Sequence, residues 1–239
     1  MKTFVLGDIH GACKALKQCL QRSAFDKESD QLIFLGDVCD RGPETVEAID
    51  LLLEIKNLKA IMGNHDQWLF DWIAGNTLDM EQWQRQGGQP TINSYLNRPD
   101  WEETQRRHLE HYFQEILPFY KDAENRVFVH AGFNWQKPIE QTDSPSDYQW
   151  NRELFTKVVQ ERHRPLLVPP NEPYKEIYLG HSPTIRLLPE IDGTVPVNIG
   201  NVWCLDQGAG WGKKLTIMNI DTKEYFQSDD VDALYGLRH

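Results

Sequence analysis

The stretch Gly36-Asp37-Val38-Cys39-Asp40-Arg41-Gly42 directly follows a short apolar run, Gln31 to Leu35. That run is aliphatic and aromatic and stops at a glycine, which is typical of a buried strand. In an α/β sheet, ligands bind in the crevice beyond the carboxyl ends of the strands. We therefore predict that Asp37, Asp40 and Arg41 lie where a ligand would bind, although an ordinary polar turn can have the same composition.

Two further strands in the first part of the chain end in comparable polar turns. Met1 to Leu6 is apolar and leads into Gly7-Asp8-Ile9-His10-Gly11. Leu58 to Met62 leads into Gly63-Asn64-His65-Asp66. Because helical patterns separate the three strands and the loops are short, the sequence predicts a largely parallel sheet with its polar turns at one edge.

The second half of the chain is richer in strands. Arg126 to Val129 ends at His130, and Glu176 to Leu179 ends at Gly180-His181-Ser182. Between them we expect a helix that begins at Trp150-Asn151-Arg152-Glu153, followed by a proline-rich surface loop over 164–173;. The segments 197–199, 202–205 and 215–220 are predicted to be consecutive, mainly antiparallel strands of a second sheet.

Residues 67–117 differ from the rest of the chain and predict a helical insertion beside the first sheet. Four tryptophans fall in this segment, and Leu109, Tyr112, Phe113, Ile116 and Leu117 recur at helical spacing;. We expect the aromatic side chains to form the core of the insertion. His108 and His111 are expected on a solvated helix face. We find no linker, so the chain is predicted to be a single domain over 1–239.

Composition excludes several classes of function. The 239 residues carry a formal charge of −11, which argues against a protein that binds nucleic acid through its phosphate backbone;. No apolar run is long enough to span a membrane, and the chain begins in a strand rather than a signal peptide. The four cysteines form no C-x-x-C pair, so we expect reduced thiols and a cytoplasmic protein;.

The polar residues at the strand ends form a donor set suited to metal ions. The set contains carboxylate, amide and imidazole groups and no thiolate, which favours divalent manganese, iron or zinc. A single metal would not need so many ligands, whereas two metals that share one carboxylate would. The members of this set are Asp8, His10, Asp37, Asn64, His65, His130 and His181.

The ordered motifs GDIHG, GDVCDRG, GNHD, VHAG and GHS, between Gly7 and Ser182, resemble those of the calcineurin-like metallophosphoesterases. Within that group the sequence is similar to the phosphoprotein phosphatase family, especially the small bacterial and bacteriophage lambda-type serine/threonine phosphatases. The Trp150-Asn151-Arg152 segment and the later Leu205-Asp206-Gln207-Gly208 segment also match. The resemblance implies an α/β fold in which two sheets form a sandwich flanked by helices.

The resemblance also implies a role for each residue of the site. Asp8 and His10 would bind a first metal, Asp37 would bridge, and Asn64, His130 and His181 would bind the second. His65 would protonate the leaving oxygen, with Asp40 holding it in place, and Arg41 and Arg152 would bind the phosphoryl oxygens. Hydroxide held between two divalent metals, with manganese favoured, would attack phosphorus without a phosphoenzyme.

Three positions depart from the pattern of the protein phosphatases. Met62 stands where they usually have arginine, Asp66 where they usually have glutamate, and Ser182 where threonine is common. Met62 resembles the aliphatic residue of the symmetrical diadenosine tetraphosphatases and would leave room for a larger phosphate chain. Asp40 favours the protein phosphatases, because the tetraphosphatases commonly lack that aspartate.

Three functions therefore stay open, with a metal-dependent phosphomonoesterase acting on phosphoproteins favoured. The alternative is a hydrolase of dinucleoside polyphosphates, and the third is a non-catalytic binding module. The expected partner is a phosphorylated protein or a small phosphate ester or polyphosphate, with neither nucleic acid nor a membrane.

Two other sequence features do not indicate a site. The glycine-rich segment 208–212 is followed by a strand rather than the helix of a nucleotide loop, and nothing near Cys39 would make it a nucleophile;.

Overall fold

The structure of the protein is a computed structural model that describes residues 1–164, 167–170, 172–187 and 190–236. Residues 165, 166 and 171 of the predicted surface loop lie outside the described residues. In the described part of the chain, no helix has both the length and the apolar character needed to cross a bilayer.

The first sheet contains the three parallel strands predicted from the sequence. Strand β1 (Thr3–Leu6) pairs in parallel with β2 (Gln31–Phe34), which pairs in parallel with β3 (Asn57–Ala60). Helices α1 (Cys13–Arg22) and α2 (Thr45–Leu53) make the connections between these strands. The predicted parallel arrangement is therefore confirmed, and the three polar turns lie at the same edge of the sheet.

Two strands from the end of the chain complete the first sheet. We predicted that 215–220 belongs to the second sheet, and this was wrong. The strand β9 (Thr216–Asn219) pairs antiparallel with β1, and β10 (Tyr225–Gln227) pairs antiparallel with β9. A strand that is largely apolar fits the open edge of either sheet. The sequence pattern of β9 therefore does not identify the strand with which it pairs.

The second sheet is mixed rather than mainly antiparallel. Its strands are β4 (Phe119–Lys121), β5 (Arg126–Val129), β6 (Glu176–Leu179), β7 (Val197–Ile199) and β8 (Val202–Cys204). They lie in the order β4-β5-β6-β8-β7, and the central strands β5, β6 and β8 run parallel to one another. The outer strands β4 and β7 are antiparallel to their neighbours.

The two sheets pack face to face around a shared apolar layer. Val5 and Ile33 from the first sheet and Phe128 and Tyr178 from the second are fully buried in one cluster. The rings of Phe128 and Tyr178 stack at 4.8 Å. Alternate residues of β1 and β2 point the other way and pack under the helices;. Burial on both faces explains why these strands read as continuous apolar runs and confirms the predicted two-sheet sandwich flanked by helices.

Helices occupy the segment predicted as a helical insertion. They are α3 (Asn64–Ala74), α4 (Met80–Arg85), α5 (Gly88–Leu96) and α6 (Trp101–His108), and a π-helical turn (Leu109–Phe113) follows. The predicted helix through Leu117 therefore ends early, because the Leu117 N–H donates to the Ala60 carbonyl at the sheet edge. The assignment of the whole chain to one domain stays a prediction.

The side chains of this helical segment are packed as a core, with one error in our expectation. Trp83 and Tyr95 are fully buried, and Trp72 packs against both rings. His108 was expected on a solvated face but is fully buried, with Tyr95 Oη 2.6 Å from its Nδ1 and Asp50 Oδ1 2.9 Å from its Nε2. These two polar partners make burial of the imidazole tolerable, and neither could be identified from the spacing of histidines.

Two short helices flank the second sheet: Asp147–Trp150 forms α7 and Glu153–Gln160 forms α8. A third, α9 (Val231–Tyr235), packs instead on the helix side of the first sheet. The predicted helix at Trp150 thus divides in two, because Asn151 has an extended backbone and its Oδ1 accepts from the Glu153 N–H. This break directs Arg152 toward the carboxyl ends of the strands.

Candidate functional site

Sharp backbone turns present the polar residues at the strand ends. The left-handed backbone region is sparsely populated by residues other than glycine, and such strain concentrates at functional sites. At Gly63 the backbone passes close to the Asp37 side chain, because a Cβ at this position would lie 2.1 Å from Oδ1 of Asp37. Five non-glycine residues of the strand-end turns adopt positive φ angles: His10 (48°), Asp37 (61°), Asp40 (71°), Arg41 (68°) and His181 (62°).

Asp37 lies at the centre of the site. Ligand atoms of His10, Asp37 and His65 all lie within 4.8 Å of one another, and the same holds for Asp37, His130 and His181. All five residues are buried. Asp37 is common to both groups, which is the arrangement that two cations sharing one carboxylate would require.

Backbone carbonyls orient two of the histidines. Nδ1 of His10 lies 2.9 Å from the Cys39 carbonyl, and Nδ1 of His130 lies 2.8 Å from the Leu35 carbonyl. A carbonyl can only accept, so Nδ1 carries a proton in both rings, and Nε2 is the nitrogen that faces the site. Metal-binding histidines are commonly held in this way. Nε2 of His181 is buried and has no hydrogen-bond partner among the described residues, which also suits a metal ligand.

Asp8 and Asn64 lie at the same centre, although Asp8 is outside both groups. The Asp8 carboxylate accepts from the backbone N–H of His181 at 2.9 and 3.2 Å. Oδ1 of Asn64 lies 3.1 Å from Nε2 of His130. The structure therefore brings all six predicted metal ligands together, but it groups His65 rather than Asp8 with His10 and Asp37.

Bound cations would stabilise the buried carboxylates of the site. Burial raises the pKa of Asp8 well above its usual value, and Asp206 and Asp37 add to the rise. Burial likewise raises the pKa of Asp206 to about 6. At Asp37, burial opposes ionisation, but His130 and His65 outweigh it and hold the pKa well below its usual value. Divalent cations would relieve the repulsion among these carboxylates.

The histidines on the other side of Asp37 differ in charge. Burial disfavours the His130 cation, but Asp37 beside it raises the pKa of His130 to about 9. Burial and the neighbouring His130 lower the pKa of His181 to about 2. His181 is therefore neutral over the physiological range, and its unpaired buried nitrogen can bind a metal without first losing a proton.

Asp66 has a structural role that the sequence did not reveal. The residue is fully buried in the first turn of α3 and accepts backbone hydrogen bonds from Asp37 (2.7 Å), Val38 (2.8 Å) and Gly63 (2.9 Å). These bonds join the turns after β2 and β3. The side chain of Asp66, which is shorter than the glutamate usual in protein phosphatases, therefore fixes Asp37 relative to Asn64 and His65. An acidic residue three positions after a helix cap is the sequence signal for such a role.

His65 and Asp40 are in contact as predicted, and two residues of the helical segment hold Asp40. Nδ1 of His65 lies 2.6 Å from Oδ2 of Asp40. The indole N–H of Trp83 donates to the same oxygen at 2.8 Å, and the Thr91 hydroxyl donates to Oδ1 at 2.8 Å. Trp83, Asp40 and Thr91 are fully buried. Trp83 and Thr91 are far from Asp40 in sequence, so no motif could have identified them.

A cleft of about 180 Å³ opens onto this centre and is bordered by three arginines. Arg41 and Arg152 were predicted there, and Arg186 was not. None of the three forms an ion pair with a carboxylate in the described parts of the chain. Nη1 of Arg41 lies 3.2 Å from Nε2 of His10, and Nη2 lies 3.4 Å from Nε2 of His65. The three guanidinium groups can therefore bind an anion in the cleft.

The glycine-rich segment that we set aside forms part of this cleft. The Trp211 ring lies 3.8 Å from the Arg186 guanidinium and 4.5 Å from that of Arg41. Gly210 permits the close approach, because a Cβ there would lie 2.2 Å from Cδ2 of His10 and 2.7 Å from Nη1 of Arg41. The segment is not a nucleotide loop built on a helix, but it is a wall of the site.

Met62 does not border the cleft. It is partly buried and packs against the large hydrophobic cluster beneath the helices of the first sheet. Its backbone N–H donates to the Leu117 carbonyl. The room for a larger phosphate chain that we attributed to Met62 must therefore come from other residues.

The sequence profile of the calcineurin-like phosphoesterases matches residues 1–217. A symmetrical bis(5'-nucleosyl)-tetraphosphatase from Pasteurella multocida is 22% identical over 276 residues, covering 97% of this chain and 98% of the relative. Serine/threonine-protein phosphatase 1 of Salmonella typhimurium is 28% identical over 222 residues, covering 91% of each chain.

A solved structure provisionally named a diadenosine tetraphosphatase has the same fold, with a TM-score of 0.62 at 16% identity over 95% of this chain and 92% of its own. Calcineurin-like phosphoesterases are metal-dependent, and the donor set around Asp37 fits two divalent cations. The chain belongs to the calcineurin-like phosphoesterase family and is a metallophosphoesterase, a hydrolase of phosphate compounds.

Proposed function

We propose that the protein hydrolyses a phosphoanhydride bond of dinucleoside polyphosphates at a centre of two divalent metals. The observation that carries this proposal is the set of guanidiniums around the cleft, Arg41, Arg152 and Arg186, which have no carboxylate partner among the described residues. Three such cations exceed the need of one phosphoryl dianion and match a chain of several phosphates. Relatives named as symmetrical tetraphosphatases support the same substrate class.

In this proposal Asp8, His10 and Asp37 would hold one metal, and Asp37, Asn64, His130 and His181 the other. Manganese is the proposed ion, since the donors are oxygen and imidazole nitrogen. When bound, such metals lower the pKa of water and neutralise charge on the phosphoryl group. The unpaired buried nitrogen of His181 supports the fit.

The other side chains would bind and orient the substrate. Arg41 and Arg152 would each donate to oxygens of the transferred phosphoryl group, which holds it over Asp37. His65 would be the proton donor to the leaving oxygen and would act through Nε2, because its Nδ1 is engaged by Asp40 at 2.6 Å;. Asp40, fixed by Trp83 and Thr91, would hold that imidazole in one orientation.

A second candidate function is hydrolysis of phosphoserine or phosphothreonine in proteins. The His65–Asp40 pair favours it, since an alkoxide is a poor leaving group that needs a proton donor more than a nucleotide does. A relative named serine/threonine-protein phosphatase 1 has similar coverage. Neither candidate involves nucleic acid or a membrane, and we propose a cytoplasmic location for both.

A direct comparison of substrates tests the proposal. With manganese, we expect kcat/KM for diadenosine tetraphosphate to exceed that for a phosphoserine peptide by at least about tenfold. Chromatography should show ADP as the product of symmetrical cleavage. Faster dephosphorylation of the peptide would instead establish the second candidate function and overturn the first.

Trp83→Phe tests the positioning of the acid pair. The substitution removes one hydrogen bond to the Asp40 carboxylate, so we expect kcat for an alkyl phosphate to fall about tenfold, with a smaller loss for an aryl phosphate. Trp101→Phe, at the start of α6, is the matched control. An equal loss on both substrates would show that Trp83 only supports packing.

A further inference from the structure

A second and larger cavity adjoins the catalytic cleft. Its volume is about 630 Å³, compared with about 180 Å³ for the cleft itself. The two spaces share His10, Arg41, Gln86 and Trp211 as lining residues. Small-molecule sites are typically about 300–1,000 Å³ in volume, so the second cavity alone is large enough for a nucleoside.

The lining of this cavity differs from that of the cleft. Pro43, Val231 and Tyr235 give it an apolar wall. Its charged lining residues are Arg85, which pairs with Glu81, Lys213 and Asp232. Nζ of Lys213 is 3.5 Å from Asp230, a contact too long to fix the ammonium group;. An apolar body with a few charged groups is the composition of a site for a base and ribose that are joined to phosphates.

Arg41 and Trp211 connect the two spaces. Arg41 reaches toward the Nε2 atoms of His10 and His65 on the metal side, and its guanidinium also lies over the Trp211 ring. Arg186 lies over the same ring on the cleft side, where it lines the smaller space. A phosphate chain that leaves the metal centre along Arg41 would therefore enter the second cavity without losing cationic partners.

We propose that the second cavity binds the nucleoside of the leaving nucleotide, a purine or pyrimidine base with its ribose. This assignment rests on the proposed function. The two phosphates between the scissile bond and that nucleoside lie beside Arg41, and Lys213 faces the ribose end. This cavity, and not the position of Met62, then provides the room that separates a polyphosphate substrate from a simple phosphate ester.

Lys213→Trp tests the subsite in the manganese-loaded enzyme. A large ring at this lining position should obstruct the nucleoside, and we expect the ratio of kcat/KM for diadenosine tetraphosphate to that for a small aryl phosphate to fall at least about tenfold. Lys213→Ala separates obstruction from loss of charge and should change the ratio about twofold or less. Lys56→Trp, just before β3, is the control for a bulky surface residue.

Inhibition provides a reading that does not need the proposed substrate. ADP should inhibit hydrolysis of the aryl phosphate more strongly than inorganic diphosphate does, and Lys213→Trp should abolish the difference. The proposed subsite would be contradicted if Lys213→Trp left the kcat/KM ratio of the two substrates unchanged. It would also be contradicted if the substitution raised KM for a phosphopeptide and not for the dinucleotide. If the wild-type enzyme does not cleave diadenosine tetraphosphate, the proposed function is wrong. The nucleoside subsite is wrong as well if ADP inhibits no more strongly than diphosphate.

Discussion

Asp37→Asn is expected to lose bound metal and to reduce turnover by a factor on the order of 10³ or more, since losing even one preorganised catalytic group commonly removes about 10²–10³. Asp37 is common to both groups of candidate ligands, so an amide there would weaken both at once. An amide is also neutral and binds divalent cations less strongly. Metal content by elemental analysis and kcat with excess manganese measure the two effects.

Asp229→Asn is the matched control, because that exposed aspartate does not line the cleft and pairs with Arg22. Circular dichroism and thermal unfolding should show that Asp37→Asn is folded. If the folded variant kept two equivalents of metal and normal turnover, Asp37 would not be the shared ligand.

His65→Asn is expected to slow hydrolysis of an alkyl phosphate by a factor on the order of 10²–10⁴, the usual contribution of a general acid. An aryl phosphate with an acidic phenol needs little protonation and should be affected least. Diadenosine tetraphosphate, whose leaving group is a nucleotide phosphate, should fall between the two. Single-turnover rates at saturating substrate measure the chemical step in each case.

His111→Asn is the control, because His111 is an exposed histidine on the π-helical turn outside the cleft. Metal content must be measured in parallel, since His65 lies with His10 and Asp37 in one of the two candidate ligand groups. Equal losses on all three substrates together with lost metal would make His65 a ligand instead of a proton donor.

The positions of the site residues could be predicted because they depend on local rules. A short apolar run followed by glycine and a polar residue specifies both a buried strand and the turn at its end. Parallel pairing then brings Asp8, Asp37 and Asn64 to one edge. The second sheet adds His130 and His181 in the same way, because β5 and β6 are also parallel.

The errors came from contacts between distant segments. β9 lies on β1, although more than two hundred residues separate them, and no pattern within the strand specifies that partner. Trp83 contacts Asp40 across the helical insertion, and its sequence surroundings are those of an ordinary helix. Arg186 and Trp211 enter the cleft from two short helical turns whose orientation depends on the rest of the fold.

Crystals grown with manganese and measured at the manganese absorption edge would show whether two cations share Asp37. We expect two anomalous peaks in the cleft, both in contact with the Asp37 carboxylate, with His10 on one and His130 and His181 on the other. A single peak, or two peaks that do not share Asp37, would contradict the two-metal centre on which the proposed hydrolysis depends.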